Sequence, residues 1–134
     1  MNTTTTQTRP PSPDAVGKDE TRQLISSDKV EGTAVYDSEG ERVGTVRKVM
    51  IGKLDGQVRY VVMGMGGMFG FGEDDFPLPW DGLDYDTTLE GYKLKGVTSD
   101  DFKRDKAPSY ARDQEPDWSE DYDRSVRAYY LRSA

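Results

Sequence analysis

The sequence predicts a mainly β domain, a sandwich or a small barrel, followed by a short helix and an amphipathic C-terminal helix. Three observations point there. Between residues 24 and 97, short runs rich in Val, Ile, Tyr and Phe alternate with Gly and Asp turn signals. Beyond residue 97 the apolar period lengthens from that of a strand to that of a helix. The chain is also short, 134 residues, which leaves room for one domain and one thin core.

Residues 1–23 carry a Thr run and then Arg9-Pro10-Pro11-Ser12-Pro13. Nothing in this stretch buries enough apolar surface to offset the entropy of ordering it, so a disordered tail is expected. A plain solvated extension is the simpler reading of its prolines; a recognition motif is the sharper one.

The expected strands follow in order. Residues 33–36 are β-branched and aromatic, and Asp37-Ser38-Glu39-Gly40 turns the chain. Residues 43–51 form the next strand, with a flaw: Val46 and Val49 are three apart. A β-bulge at Arg47-Lys48 returns both valines to one face. Asp55-Gly56 signals a hairpin. In residues 57–65, Val58, Tyr60 and Val62 share one face, while Val61, Met63 and Met65 make the other face apolar too. A strand apolar on both sides is buried on both, so its outer side needs a cover: the tail helix or a second copy of the chain. In residues 75–80, Phe76, Leu78 and Trp80 share a face, and Trp80, like Tyr60, is expected in the core. Pro77 and Pro79 remove two consecutive donors from one edge, which marks an edge or a rim. Leu83 and Tyr85 continue the pairing. Tyr92 and Leu94 then face inward, with Lys93 and Lys95 outward.

Thr98-Ser99-Asp100-Asp101 opens a short helix, a hydroxyl followed by carboxylates. Phe102 pins it to the domain and Ala107-Pro108 ends it. Asp117 is the expected N-cap of the last helix, with Glu120 three residues on. Trp118, Tyr122, Val126 and Tyr129 or Tyr130 recur at helical spacing. Glu120 with Arg124 and Asp123 with Arg127 stand four apart, in the favourable order for ion pairs.

Composition narrows the function. The chain has no Cys and no His. Thiolate metal sites and thiol nucleophiles are absent, and so is the usual near-neutral acid–base group. No catalytic, cofactor or metal site is expected, and the reading is not an enzyme. The charge is −7, from 18 Lys and Arg against 25 Asp and Glu, which disfavours general binding to a phosphate backbone. No apolar run approaches the roughly 20 residues of a membrane span, and with no leader-like apolar run at the front a cytoplasmic location is expected.

Sharper readings compete with plain ones at three places. The Gly-rich stretch 64–72 lacks the third glycine of a dinucleotide fingerprint and a following Lys-Ser/Thr, and Glu73-Asp74-Asp75 repels phosphate. Its Met68, Phe69 and Phe71 either cap the domain or form an apolar contact patch. Glu73-Asp74-Asp75, and Asp37 with Glu39 and Glu41, lack the convergence or spacing of a cation site; a solvated acidic rim is the expectation for both. The candidate protein interface is therefore Met68, Phe69, Phe71, Trp118, Tyr122, Tyr129 and Tyr130. The aromatic helix docks either on its own domain or on a neighbour.

Three stretches together resemble the PRC-barrel family. The first runs from Leu24-Ile25 to Val49 and contains Gly40-Glu41-Arg42-Val43-Gly44-Thr45-Val46. The second is Asp55-Gly56-Gln57-Val58-Arg59-Tyr60-Val61-Val62 with Gly66-Gly67-Met68-Phe69-Gly70-Phe71-Gly72-Glu73. The third is Phe76-Pro77-Leu78-Pro79-Trp80-Asp81-Gly82-Leu83. The tail from Pro116-Asp117-Trp118 to Tyr129-Tyr130 resembles an extension of some stand-alone bacterial members. The resemblance implies a small PRC-type β-barrel of about six strands over residues 24–108, with a C-terminal extension over 109–134. It implies a domain similar to that of the photosynthetic reaction-centre H subunit and to the C-terminal domain of a ribosome maturation factor, both of which hold protein partners. The function expected is a non-enzymatic adaptor acting by protein–protein contact and forming a homo-oligomer; a stress-related role rests on the resemblance alone. One alternative is an RNA- or ribosome-associated factor using Arg42, Arg47, Lys48, Lys53 and Arg59. Another is a domain binding a small ligand or a metal.

Overall fold

The structure is a computed structural model that describes residues 23–65, 74–103 and 107–131. It is mainly β, with the elements in this order: α1 (Ser27–Val30), β1 (Ala34–Tyr36), β2 (Arg42–Ile51), β3 (Val58–Gly64), β4 (Asp74–Pro79), a 3-10 turn (Trp80–Gly82), β5 (Leu83–Asp86), β6 (Gly91–Leu94), α2 (Ser99–Phe102), β7 (Tyr110–Ala111) and α3 (Glu120–Tyr130). The strands form one sheet in the order β5-β6-β1-β2-β3-β4-β7, curled towards a barrel but not closed. Six of the seven strands are those expected. The two-residue β7 is the addition; it pairs only with the start of β4, through Asp74 and Asp75. All pairings are antiparallel except that of β1 with β6.

The bulge falls where the valine spacing predicts it. Val46 pairs with Met63 and Lys48 with Val62, so Arg47 is the extra residue. Val46 and Val49 then lie opposite Met63 and Val61, on one face. A second register shift falls between Met50 and Ile51. Two such irregularities bend β2, the longest strand, around the core. The inner face gathers Val35, Val46, Val61, Met63, Phe76, Leu78, Tyr92 and Leu94, all buried. Gly44 sits on this face because Met63 lies across it: a Cβ there would come within 2.7 Å of the Met63 side chain and 2.5 Å of the Gly64 carbonyl oxygen. The Asp55-Gly56 hairpin joins β2 to β3, with Gly56 at φ 71° and Asp55 Oδ1 accepting from the Gln57 amide at 3.0 Å.

Pro77 and Pro79 lie opposite Val62 and Tyr60, on the outer face. Having no N–H, they leave their stretch of β4 unpaired on the side away from β3. β7 pairs with β4 only before that stretch. Helix α3 packs against β4 instead, so the edge is covered without being paired.

The short helix α2 begins as expected: Asp101 Oδ2 accepts from the Thr98 amide at 2.9 Å, the return arm of a capping box. Phe102 is buried edge-on against Phe76, with ring centroids 5.7 Å apart. The last helix starts differently. Ser119, not Asp117, is the N-cap, its hydroxyl oxygen accepting from the Tyr122 amide at 3.1 Å. Asp117 Oδ1 holds the Ser119 amide, also at 3.1 Å. The ion pairs differ too: Arg124 pairs with Asp121, and Arg127 with Asp81 of the 3-10 turn at 2.7 Å.

The acidic rim needs a larger correction. Asp37 is 0% exposed. Its Oδ1 accepts from the Glu39 and Glu41 amides at 2.9 and 2.8 Å, and its Oδ2 from the Ser99 amide at 2.8 Å. One carboxylate thus locks the β1–β2 turn to the start of α2. Charge-assisted bonds of this kind are worth about 1.5–3 kcal/mol. We predict that Asp37→Ala lowers unfolding free energy by roughly 3 kcal/mol, since three amides lose their acceptor. Urea denaturation measures it, and Asp37→Asn is expected to lose less than Asp37→Ala.

Candidate protein-binding groove

The outer face of β3 is where the tail meets the barrel. Tyr60 and Val62 point outward beside Met50 of β2 and Pro77 and Pro79 of β4. Trp118 lies over Tyr60 with ring centroids 5.2 Å apart. Tyr110 and Tyr122 meet Trp118 edge-on, at 6.0 and 5.7 Å. The Tyr60 hydroxyl donates to Asp123 Oδ1. Trp118 holds φ at 56°, a left-handed conformation that costs a non-glycine residue about 1–3 kcal/mol. The three tyrosine rings around its indole offset that cost. At the far end of α3, Tyr129 donates to the Asp101 carbonyl at 2.8 Å, and Tyr130 is buried against Phe102.

The aromatic stripe therefore docks on its own barrel. Tyr130 is fully covered, and Trp118, Tyr122 and Tyr129 are half-buried. The structure brings these four expected residues together as the seam between tail and barrel. Met68, Phe69 and Phe71 lie outside the described residues.

Next to the tail seam runs an open groove of about 920 Å³. Its floor and walls come from the end of β2, the start of β3, the 3-10 turn and the first turns of α3. Two apolar side chains stand out on its lining: Ile51, 52% exposed, and Trp80, 38% exposed. Leu54, at the tip of the adjoining hairpin, is fully exposed. Trp80 is thus not the core residue its alternation with Phe76 and Leu78 predicts. β4 ends at Pro79, and the 3-10 turn swings the indole out onto Tyr92, with ring centroids 5.7 Å apart. The available signal was Asp81-Gly82 immediately after it, a turn that ends strand alternation at Trp80 itself.

The charges around the groove are mostly matched. Arg59 pairs with Asp55 and Arg127 with Asp81. Beyond the groove, Lys48 pairs with Glu115 at 2.8 Å. Arg47, the bulge residue, crosses over Gly64 to reach Asp75 at 3.0 Å, and Arg112 joins from the tail at 3.2 Å. Asp75 is 1% exposed, a second departure from the expected solvated rim. A charge so buried needs this double pairing. Three members of the expected basic run, Arg47, Lys48 and Arg59, are thus held by carboxylates. Among the described residues, no three acidic side chains stand close enough to hold a metal ion, and no helix is long and apolar enough to cross a membrane.

The architecture is a curled, barrel-like sheet with a groove beside its C-terminal cover. A family model for the PRC-barrel domain matches residues 23–98, more than half of the chain. The protein belongs to the PRC-barrel family, whose domains are generally non-catalytic modules. No curated protein matches the chain.

Burial raises the pKa of the Tyr60 hydroxyl well above the tyrosine range, and the bond to Asp123 adds to it. Burial raises Tyr110 and Tyr122 in the same direction, the nearby Asp75 charge contributing at Tyr110. A raised phenol means that the unfolded chain loses its protons first as pH rises. Stability from these groups is fully present below the unfolded value of about 10 and is lost as pH climbs through the folded values. We predict that the urea midpoint falls steadily above about pH 10. Tyr60→Phe starts about 1–2 kcal/mol lower, through loss of the Asp123 bond, but falls less steeply with pH. Equal slopes in the two proteins exclude Tyr60 from the effect.

Proposed function

We propose that this PRC-barrel protein is a non-enzymatic adaptor that works through protein–protein contacts and self-associates. The observation that carries the reading is the pair Trp80 and Ile51, exposed on a groove whose neighbouring charges are already matched. An indole held in place by Tyr92 offers a partner a large apolar surface at little entropic cost, the character of an interface hot spot. The matched charges disfavour a small charged substrate. They also weigh against the RNA reading, because a phosphate backbone would have to displace Asp75, Glu115 and Asp55 from the basic residues they hold.

Self-association is read from a different segment, the β3–β4 connection. The β3–β4 connection leaves from Gly64 and returns at Asp74, whereas the groove lies at the other end of β3, near Val58 and Tyr60. Seven strand residues separate the two ends by roughly 20 Å. Met68, Phe69 and Phe71 belong to that connection, and three large apolar residues among glycines are the composition of a contact patch.

Light scattering tests this assignment. The wild-type chain is expected to run at a multiple of its 15.1 kDa mass. The Met68→Ser, Phe69→Ser, Phe71→Ser variant is expected to run as a monomer with an unchanged far-ultraviolet circular dichroism spectrum, its unfolding midpoint falling to a value independent of protein concentration. A monomeric wild type, or a variant of unchanged mass, contradicts it.

A further inference from the structure

The groove's chemistry matches one segment of this same chain. Its apolar lining carries three aromatic rings, those of Trp80, Tyr60 and Trp118, beside Met50, Ile51 and Val58. Grooves lined by aromatic rings suit polyproline II segments, whose prolines present flat apolar faces and lose little entropy on binding. Arg9-Pro10-Pro11-Ser12-Pro13 has the composition of such a segment. At three residues per turn, Pro10 and Pro13 share a face about 9 Å apart, and an arginine flanks them.

Charge fits as well. Arg59, Arg124 and Arg127 line the groove but pair with Asp55, Asp121 and Asp81. Asp123 on the same wall takes the Tyr60 hydroxyl. Glu120, exposed at the helix start, has no ion-pair partner among the described residues. The lining thus leaves one acid to spare for an incoming cation.

The chain can also reach. Ile25 lines a hollow with Thr33, Tyr85 and Glu90. From Tyr85, β5 leads back to Asp81 of the groove, four residues or about 13 Å away. Ten residues join Pro13 to Gln23, and extended they span about 33 Å.

We propose that Arg9-Pro10-Pro11-Ser12-Pro13 docks in cis in this groove, with Pro10 and Pro13 against Trp80 and Trp118 and Arg9 on Glu120. The groove is then a site for proline-rich, arginine-flanked segments, and the chain's own tail competes with any partner that carries one. This rests on the groove being a protein-binding surface, as proposed above.

The chain has no cysteine, so Ser12→Cys gives the full-length protein a single attachment point for a nitroxide. The readout is the indole N–H resonance of Trp80. The expected result is loss of that peak in the oxidised label, its return on reduction, and its persistence in the oxidised label when Arg9→Glu, Pro10→Ala and Pro13→Ala are added. Two results overturn the proposal: an unaffected Trp80 peak, or loss seen equally when isotope-labelled chains without nitroxide are mixed with nitroxide-bearing chains, which assigns the contact to a second copy. Titration with a free peptide of residues 7–15 separates the levels of failure. A shifted Trp80 peak with no effect from the tethered label rejects the cis occupant and keeps the groove as a binding surface. No shift from either rejects both.

Discussion

The architecture depends on one strand being apolar on both sides. Val61 and Met63 of β3 face the core, and Tyr60 and Val62 face away from it, yet all four are buried. A curled sheet of this size covers only its inner face, so the outer one must be covered from elsewhere. The C-terminal extension does it: Trp118 sits on Tyr60, Asp123 takes the Tyr60 hydroxyl, and α3 lies against β4, whose prolines refuse a further strand. Cover and barrel act as one core, which includes Val126 and Tyr130 of the helix. The groove follows from the same arrangement, being the space left between the first turns of α3, the 3-10 turn and the base of the β2–β3 hairpin.

Two buried carboxylates fix the parts that packing alone leaves loose. Asp37 ties the β1–β2 turn to α2 through backbone amides. Asp75 ties β4 to the β2 bulge through Arg47 and to the tail through Arg112. Each carboxylate takes at least one donor from a segment distant in sequence, Ser99 for Asp37 and Arg47 and Arg112 for Asp75, and those bonds close loops of the fold. A buried ion pair of this kind adds specificity more than net stability. Here the geometry it selects is the docking of the tail beside β4.

What could be read from the sequence was what strands and turns encode locally. Val46 and Val49 announce the bulge by being three apart. Pro77 and Pro79 announce the unpaired edge, Asp55-Gly56 the hairpin, and the two-sided apolar run in β3 the need for a cover. What could not be read depended on distant partners. Asp37 and Asp75 look like solvated acids until Ser99 and Arg112 arrive beside them. β7 is two residues long and exists only because β4 is there to pair with. Asp117 is the cap that the sequence suggests; the left-handed turn at Trp118 starts the helix two residues later, at Ser119. Asp81 of the 3-10 turn, distant in sequence, takes Arg127 from the expected helix pair, whereas Asp121 takes Arg124 as a local neighbour three residues back. Trp80 was legible in principle, since a turn follows it directly, but strand alternation placed it in the core. The helical spacing of the tail's aromatic residues marks a face of the helix, while what that face meets is a matter of three-dimensional geometry.

Hydrogen exchange across a dilution series addresses the central claim most directly. If α3 covers β3 within one chain, amides at Asp123–Tyr130 exchange slowly to the same degree at every protein concentration, as do those of β3. Helix protection that vanishes on dilution while β3 stays protected would mean that the cover comes from another molecule.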